Sequence, residues 1–104
     1  MVFESLEVLS MIGNYEERVV DNFKSDLFTV DTAFVTDRQP PYETAVKHQN
    51  FNNNLWIVLE WSETKEKAQE THNKWVEYFL NNDVQEIQDS YTMETFKKIN
   101  KKGD

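Results

Sequence analysis

Apolar and polar residues alternate along Leu27–Thr36. Phe28, Val30, Thr32 and Phe34 fall on one side, and Leu27, Thr29, Asp31, Ala33 and Val35 on the other. A period of two predicts a β-strand, and since neither side is uniformly polar, the first should pack against a helix and the second be partly covered. Tyr42–His48 repeats the pattern, with Tyr42, Thr44, Val46 and His48 sharing a face. Leu55–Trp61 is almost continuously apolar. Leu55, Ile57, Leu59 and Trp61 alternate there with Trp56, Val58 and Glu60, implying two covered faces. Glu17–Phe23, with Val19, Val20 and Phe23, reads as a weaker strand. The connections are short and carry turn chemistry. Lys24-Ser25-Asp26 suits a hairpin, the two prolines of the 37–41 segment interrupt any ladder, and the Asn-rich Gln49–Asn54 stretch tolerates left-handed backbone.

Beyond Ser62 the period changes. Ala68, His72, Trp75, Val76, Phe79 and Leu80 form one helical stripe, preceded by Ser62 or Thr64 as a cap and stopped by Asn81-Asn82. This predicts an amphipathic helix over Thr64–Leu80. Asp83-Val84-Gln85-Glu86 resembles a capping box. It predicts a helical segment over 83–100 that buries Val84, Ile87 and Tyr91, with a frayed 101–104 tail. Phe3, Leu6 and Leu9 are spaced by three, which favours a short helix over Val2–Ile12, with an extended arm as the alternative, ended by Gly13-Asn14. The expected fold is α+β. About four mostly antiparallel strands carry one long helix on one face, and short terminal helices cover an edge or the second face. With 104 residues the chain forms one domain, its sheet-plus-helix core spanning 12–80.

Composition adds weight to this picture. Only 38% of residues are apolar, but three tryptophans, four tyrosines and seven phenylalanines supply large buried areas. Acids outnumber bases 19 to 11, for a formal net charge of −8. Residues 1–60 hold ten acids against four bases, so the field is strongest there. Such a surface repels phosphate backbones and attracts basic partners, though acidity also simply keeps small proteins in solution. With no cysteine, disulfides and thiolate metal sites are excluded. The longest clean apolar run, Leu55–Leu59, is too short to span a bilayer, and the first residues lack a signal-peptide pattern. The expectation is a soluble protein of a cytoplasm, or of a particle assembled in one.

No motif announces a chemistry. The two glycines, Gly13 and Gly103, exclude a Gly-rich phosphate cradle, and no zinc helix, calcium loop or nucleophile elbow occurs. His72 lies on the apolar stripe, where a packed core histidine is the simplest reading. His48 ends a strand, where partial exposure is the common case; with Glu43 and Glu60 it gives the weaker alternative of a metal site. Glu43 and Glu60 share a parity, so a hairpin could pair them for acid–base work; a solvated face is the bland alternative. If Trp56 lies on the face opposite the helix, it either packs under the N-terminal segment or anchors a partner. The expectation is no catalytic residue, no metal and no cofactor, with Asp31, Asp37, Tyr42, Glu43, His48, Trp56 and Glu60 as candidate partner-binding residues. Tyr42, Glu43, His48 and Glu60 also suggest a small-molecule or nucleotide site.

One set of motifs goes further. Ile12-Gly13-Asn14-Tyr15-Glu16-Glu17-Arg18 is followed by Val30-Asp31-Thr32, Val35-Thr36-Asp37 and Pro41-Tyr42-Glu43-Thr44-Ala45-Val46. Trp56-Ile57-Val58-Leu59-Glu60, Thr64-Lys65-Glu66, Ala68, His72, Trp75 and Val76 complete it. Over residues 12–77 the set resembles a family of small proteins encoded by tailed bacteriophages. The chain departs from that pattern at Gln49 and Thr71, where a proline and a glycine are expected. It also adds segments before Ile12 and after Tyr78. The family has no established activity, so no catalytic residue carries over. The resemblance implies a phage gene product. It also implies that the polar motif positions, among them Tyr15, Arg18, Asp31, Asp37, Glu43, Thr44 and His48, form a shared surface or a buried polar network. The function expected on this basis is a non-enzymatic accessory protein that binds a host protein with a basic surface, neither nucleic acid nor membrane, in the host cytoplasm. A virion or assembly component, able to oligomerise, is the alternative.

Overall fold

The computed structural model of the protein describes residues 15–35 and 39–99. The helix expected over Val2–Ile12, the Gly13-Asn14 turn, Asp37 and the 101–104 tail lie outside the described residues. A single helical turn, α1 (Tyr15–Arg18), leads into β1 (Val19–Lys24), β2 (Phe28–Phe34), β3 (Tyr42–His48) and β4 (Trp56–Ser62). Helix α2 (Lys65–Asn81) follows, then a small hairpin of β5 (Glu86–Gln88) and β6 (Thr95–Lys97). The four long strands form an antiparallel meander in the order β1-β2-β3-β4, with α2 packed across one face.

The register follows from side-chain parity. Phe28 pairs with His48, Val30 with Val46 and Thr32 with Thr44, and Val46 pairs in turn with Ile57. All of these residues are buried. With Phe51, Leu59, Phe79, Val84 and Ile87, the apolar members make one continuous core. Burying each large apolar side chain contributes about 1.5–3 kcal/mol. The opposite face is covered as well: Asp31, Ala33, Val35, Glu43 and Ala45 are all buried.

A β-bulge interrupts β4. Ala45 pairs with Val58 but Thr44 with Glu60, so Leu59 and Glu60 together oppose one residue. Two successive side chains then lean the same way. Leu59 joins the core under α2, and Glu60 reaches the α2 side chains of Lys74 and Trp75. From Glu60 onward the expected parity is inverted. Trp61 stands opposite Glu43, and Ser62 turns toward α2, where its hydroxyl lies 3.2 Å from Thr71 Oγ1.

Thr64 caps α2, its Oγ1 accepting from the Lys67 N–H at 3.1 Å. The buried stripe is Ala68, Thr71, His72 and Phe79, flanked by half-buried Trp75 and Val76. Leu80 is 55% exposed and does not belong to the stripe. At about 100° per residue it sits well around the helix from the centre of the stripe, near Phe79.

The helix expected over 83–100 is instead the β5–β6 hairpin. Glu86 and Gln88 are exposed while Ile87 is buried, a period of two. Asp83 does not cap a helix; its carboxylate receives the Lys98 ammonium at 2.8 Å. Met93 has a left-handed φ of 67°, which interrupts any helix there. Asp89 organises the loop by accepting the N–H groups of Tyr91 and Thr92 on Oδ1, at 2.8 and 2.9 Å. Its Oδ2 accepts the Val58 N–H at 3.1 Å, and Ser90 donates its N–H to the Val58 carbonyl. The hairpin loop thus closes the outer edge of β4.

Between β3 and β4, Asn52, Asn53 and Asn54 all adopt left-handed φ values of 50°, 53° and 62°. Such a run is costly for most residues and is eased by asparagine, whose short polar side chain tolerates this region. It brings Phe51 back under the sheet, where it is fully buried.

Candidate functional site

The candidate residues do not converge on one place. Asp31 and Glu43 lie on the face turned away from α2, at 3% and 1% exposure. Each of them has an interaction partner, so they are integral parts of that buried layer. Trp56 is half-buried on the same face, packed against Ala33 and Ala45. Tyr42, His48 and Glu60 belong to the α2 side, and Asp37 lies outside the described residues. Register also separates the two glutamates, because Glu43 faces Trp61 and Glu60 faces Thr44. The acid–base pair expected from parity does not form, and the bulge is the reason.

His48 is buried, not partly exposed at a strand end. Its ring stacks at 11° on Phe28, meets Phe51 edge-on at 4.8 Å and lies 5.9 Å from Phe79. Nδ1 accepts the Asn50 N–H at 3.1 Å, which assigns the proton of the neutral ring to Nε2. Burial, with the Lys98 charge nearby, lowers the His48 pKa. A ring enclosed by aromatics with one nitrogen used by the backbone is a packing element. Among the described residues no cluster of three metal-ligating side chains occurs.

Glu60 is held by α2. Its Oε1 accepts from Lys74 Nζ at 2.6 Å and from Trp75 Nε1 at 3.0 Å. Burial raises its pKa, but the bonds from Lys74 and Trp75 outweigh that and keep the carboxyl below its ordinary value. Tyr42 packs edge-on against Phe34, with ring centroids 5.2 Å apart.

A polar network sits between sheet and helix. Thr44 Oγ1 lies 2.9 Å from Thr32 Oγ1, and Thr32 Oγ1 lies 2.9 Å from His72 Nδ1. His72 Nε2 faces Asp21 Oδ2 at 3.8 Å, and that oxygen accepts from Gln69 Nε2 at 2.8 Å. One proton arrangement satisfies the whole line: Thr44 donates to Thr32, Thr32 donates to His72 Nδ1, and Nε2–H points at Asp21. Burial lowers the His72 pKa, opposed by the Asp21 charge. The Gln69 hydrogen bond is the main cause of a lowered Asp21 pKa. Hydroxyl, imidazole and carboxylate occur in the sequence of a nucleophilic triad, yet Thr32 is completely buried. Of the polar motif positions, Asp31, Glu43, Thr44 and His48 are buried, but on both faces of the sheet, and only Thr44 belongs to this line. The sequence carried one signal for this network: two threonines at the inward parity of β2 and β3.

Both histidines make the fold acid-sensitive in a defined window. Each has a folded-state pKa below its ordinary 6.5, so protons bind the unfolded chain more readily. Their contribution is complete above pH 6.5 and is lost as pH falls from there toward the folded-state values. The slope reaches at most about 1.4 kcal/mol per pH unit for each histidine. The lowered carboxyls of Asp21, Glu60 and Asp83 act in a separate window, below about pH 4.5. Urea midpoints should therefore decline between pH 7 and 5, and His72→Gln should flatten the decline. A constant midpoint over that range would refute this.

Comparison with protein-family models, with curated proteins and with solved structures finds no match to this chain. Among the described residues no helix is long and apolar enough to cross a membrane.

Proposed function

We propose that the protein acts by binding rather than by catalysis, as an accessory protein of a tailed phage that docks on a basic surface of a host protein. The observation that carries this reading is the placement of the reactive side chains. Asp31, Thr32, Glu43, His48 and His72 are all buried, and Glu60 is engaged by Lys74 and Trp75. These groups help build the fold, which supports binding over catalysis. The net charge of −8 supports a basic partner, such as a host nucleic-acid enzyme or a defence protein. The motif resemblance supports the phage origin, and with it action in the host cytoplasm.

The test is capture from host lysate by the immobilised protein at low salt. The expected result is a stoichiometric basic partner that dissociates when salt shortens the screening length. Absence of any stoichiometric partner, or capture that salt does not weaken, would count against the proposal. Stoichiometric recovery of the protein from purified particles would replace it with a structural role.

A further inference from the structure

The meander places four residues in one row across all its strands. Lys24 pairs with Thr29, Thr29 with Lys47, and Lys47 with Trp56. The row lies on the face away from α2, at the end formed by the β1–β2 and β3–β4 turns. It crosses a groove of about 380 Å³, which Ser25, Gln49 and Asn54 also line. That volume falls within the range of small-ligand sites, about 300–1,000 Å³. With strands about 4.8 Å apart, the row spans roughly 14 Å between its outermost backbone positions, at Lys24 and Trp56.

The charges in the groove are available. Lys67, Lys74, Lys97 and Lys98 each meet a carboxylate, whereas among the described residues neither Lys24 nor Lys47 does. The Lys47 ammonium rests 5.9 Å from the Trp56 ring centroid instead. Asp26 is the single carboxylate lining the groove, so two lysines leave it net positive in a protein of charge −8. This contrast decides the size of the ligand. A long polyanion would meet the repulsion of the whole molecule, whereas a ligand with one or two phosphates feels mainly the local lysines. An indole plate at one end of a row that continues through an ammonium, a threonine hydroxyl and a second ammonium matches an aromatic ring joined to a phosphate.

We propose that this groove binds a nucleoside mono- or diphosphate, with the base against Trp56 and the phosphate between Lys47 and Lys24. On binding, Lys47 exchanges the indole face for the phosphate oxygens, while Thr29 donates its hydroxyl. The proposal stands apart from docking on a host protein, since that reading uses the acidic surface and this one the basic groove.

The experiment is calorimetric titration with AMP, ADP, adenosine, inorganic phosphate and oligo(dA). Saturable binding of AMP or ADP is expected, with Kd below about 1 mM. Adenosine and phosphate alone should each bind at least about tenfold more weakly, because each engages only part of the row. Lys24→Ala and Lys47→Ala should each weaken AMP binding about tenfold or more, and Trp56→Ala likewise, while Trp56→Phe retains it. The lysine variants leave the core untouched, so they keep the test decisive even if Trp56→Ala unfolds. Failure of both AMP and ADP to saturate would overturn the proposal. So would unchanged affinity in the lysine variants, or binding of oligo(dA) without binding of mononucleotides.

Discussion

Phe51→Ala should destabilise the protein by about 3–5 kcal/mol, the range for removing a fully buried aromatic ring. Phe51 lies outside any strand, yet its side chain has no exposure and its ring supports His48 edge-on. It reaches that position because the left-handed asparagines fold the β3–β4 connection back beneath the sheet. Urea unfolding at pH 7 measures the loss, and Phe51→Leu should recover most of it, as volume-conserving changes do. A loss below about 1 kcal/mol would show that the connection is not packed as described. The same truncation at Trp75 should cost less, because its ring is only half-buried.

Asp89→Ala should cost about 3 kcal/mol, a large effect for a loop residue. Its carboxylate is buried and accepts three backbone N–H groups, from Val58, Tyr91 and Thr92. Hydrogen bonds to a charged acceptor contribute about 1.5–3 kcal/mol each, but the exposed Tyr91 and Thr92 amides can turn to water when it is gone. Val58 has less recourse, so most of the loss belongs to the joint between hairpin and β4. Asp89→Asn keeps one acceptor oxygen and should cost about half as much. Equal stability of Asp89→Ala and the parent in urea would show that the hairpin does not hold the β4 edge.

Much of the fold was legible because alternation and helical spacing were strong where they occurred. Tyr42–His48 is a strand over the expected residues, and the long helix starts at Thr64, one of its two expected caps. The C-terminal segment was not legible. Val84, Ile87 and Tyr91 are spaced by three and four, which suits a helix. What decides otherwise is pairing of Ile87 with Phe96 and of Asp89 with Val58, contacts that no local pattern displays. The candidate site suffered from a finer obstacle. Parity predicts which side chains share a face only while the ladder is regular, and one extra residue at Leu59–Glu60 moved Glu60 to the helix side and Trp61 off it. The Lys24–Thr29–Lys47–Trp56 row needed the full register of four strands, which composition and spacing do not provide.

The meander order has a kinetic consequence. Each long strand pairs with its neighbour in sequence, so each pairing closes only a short loop and loses little chain entropy. The helix meets β4 through contacts as local as these, from Ser62 to Thr71 and from Glu60 to Lys74 and Trp75, but its contacts with β1 and β2 span far more chain: Thr32 to His72 bridges 40 positions and Asp21 to Gln69 bridges 48. Val58 to Asp89 bridges 31. The sheet can therefore zip from hairpin to hairpin before its cover arrives. Docking of α2 across β1 and β2 and closure of the C-terminal hairpin over the β4 edge then come late, and for that interval the edge stands open to a second chain.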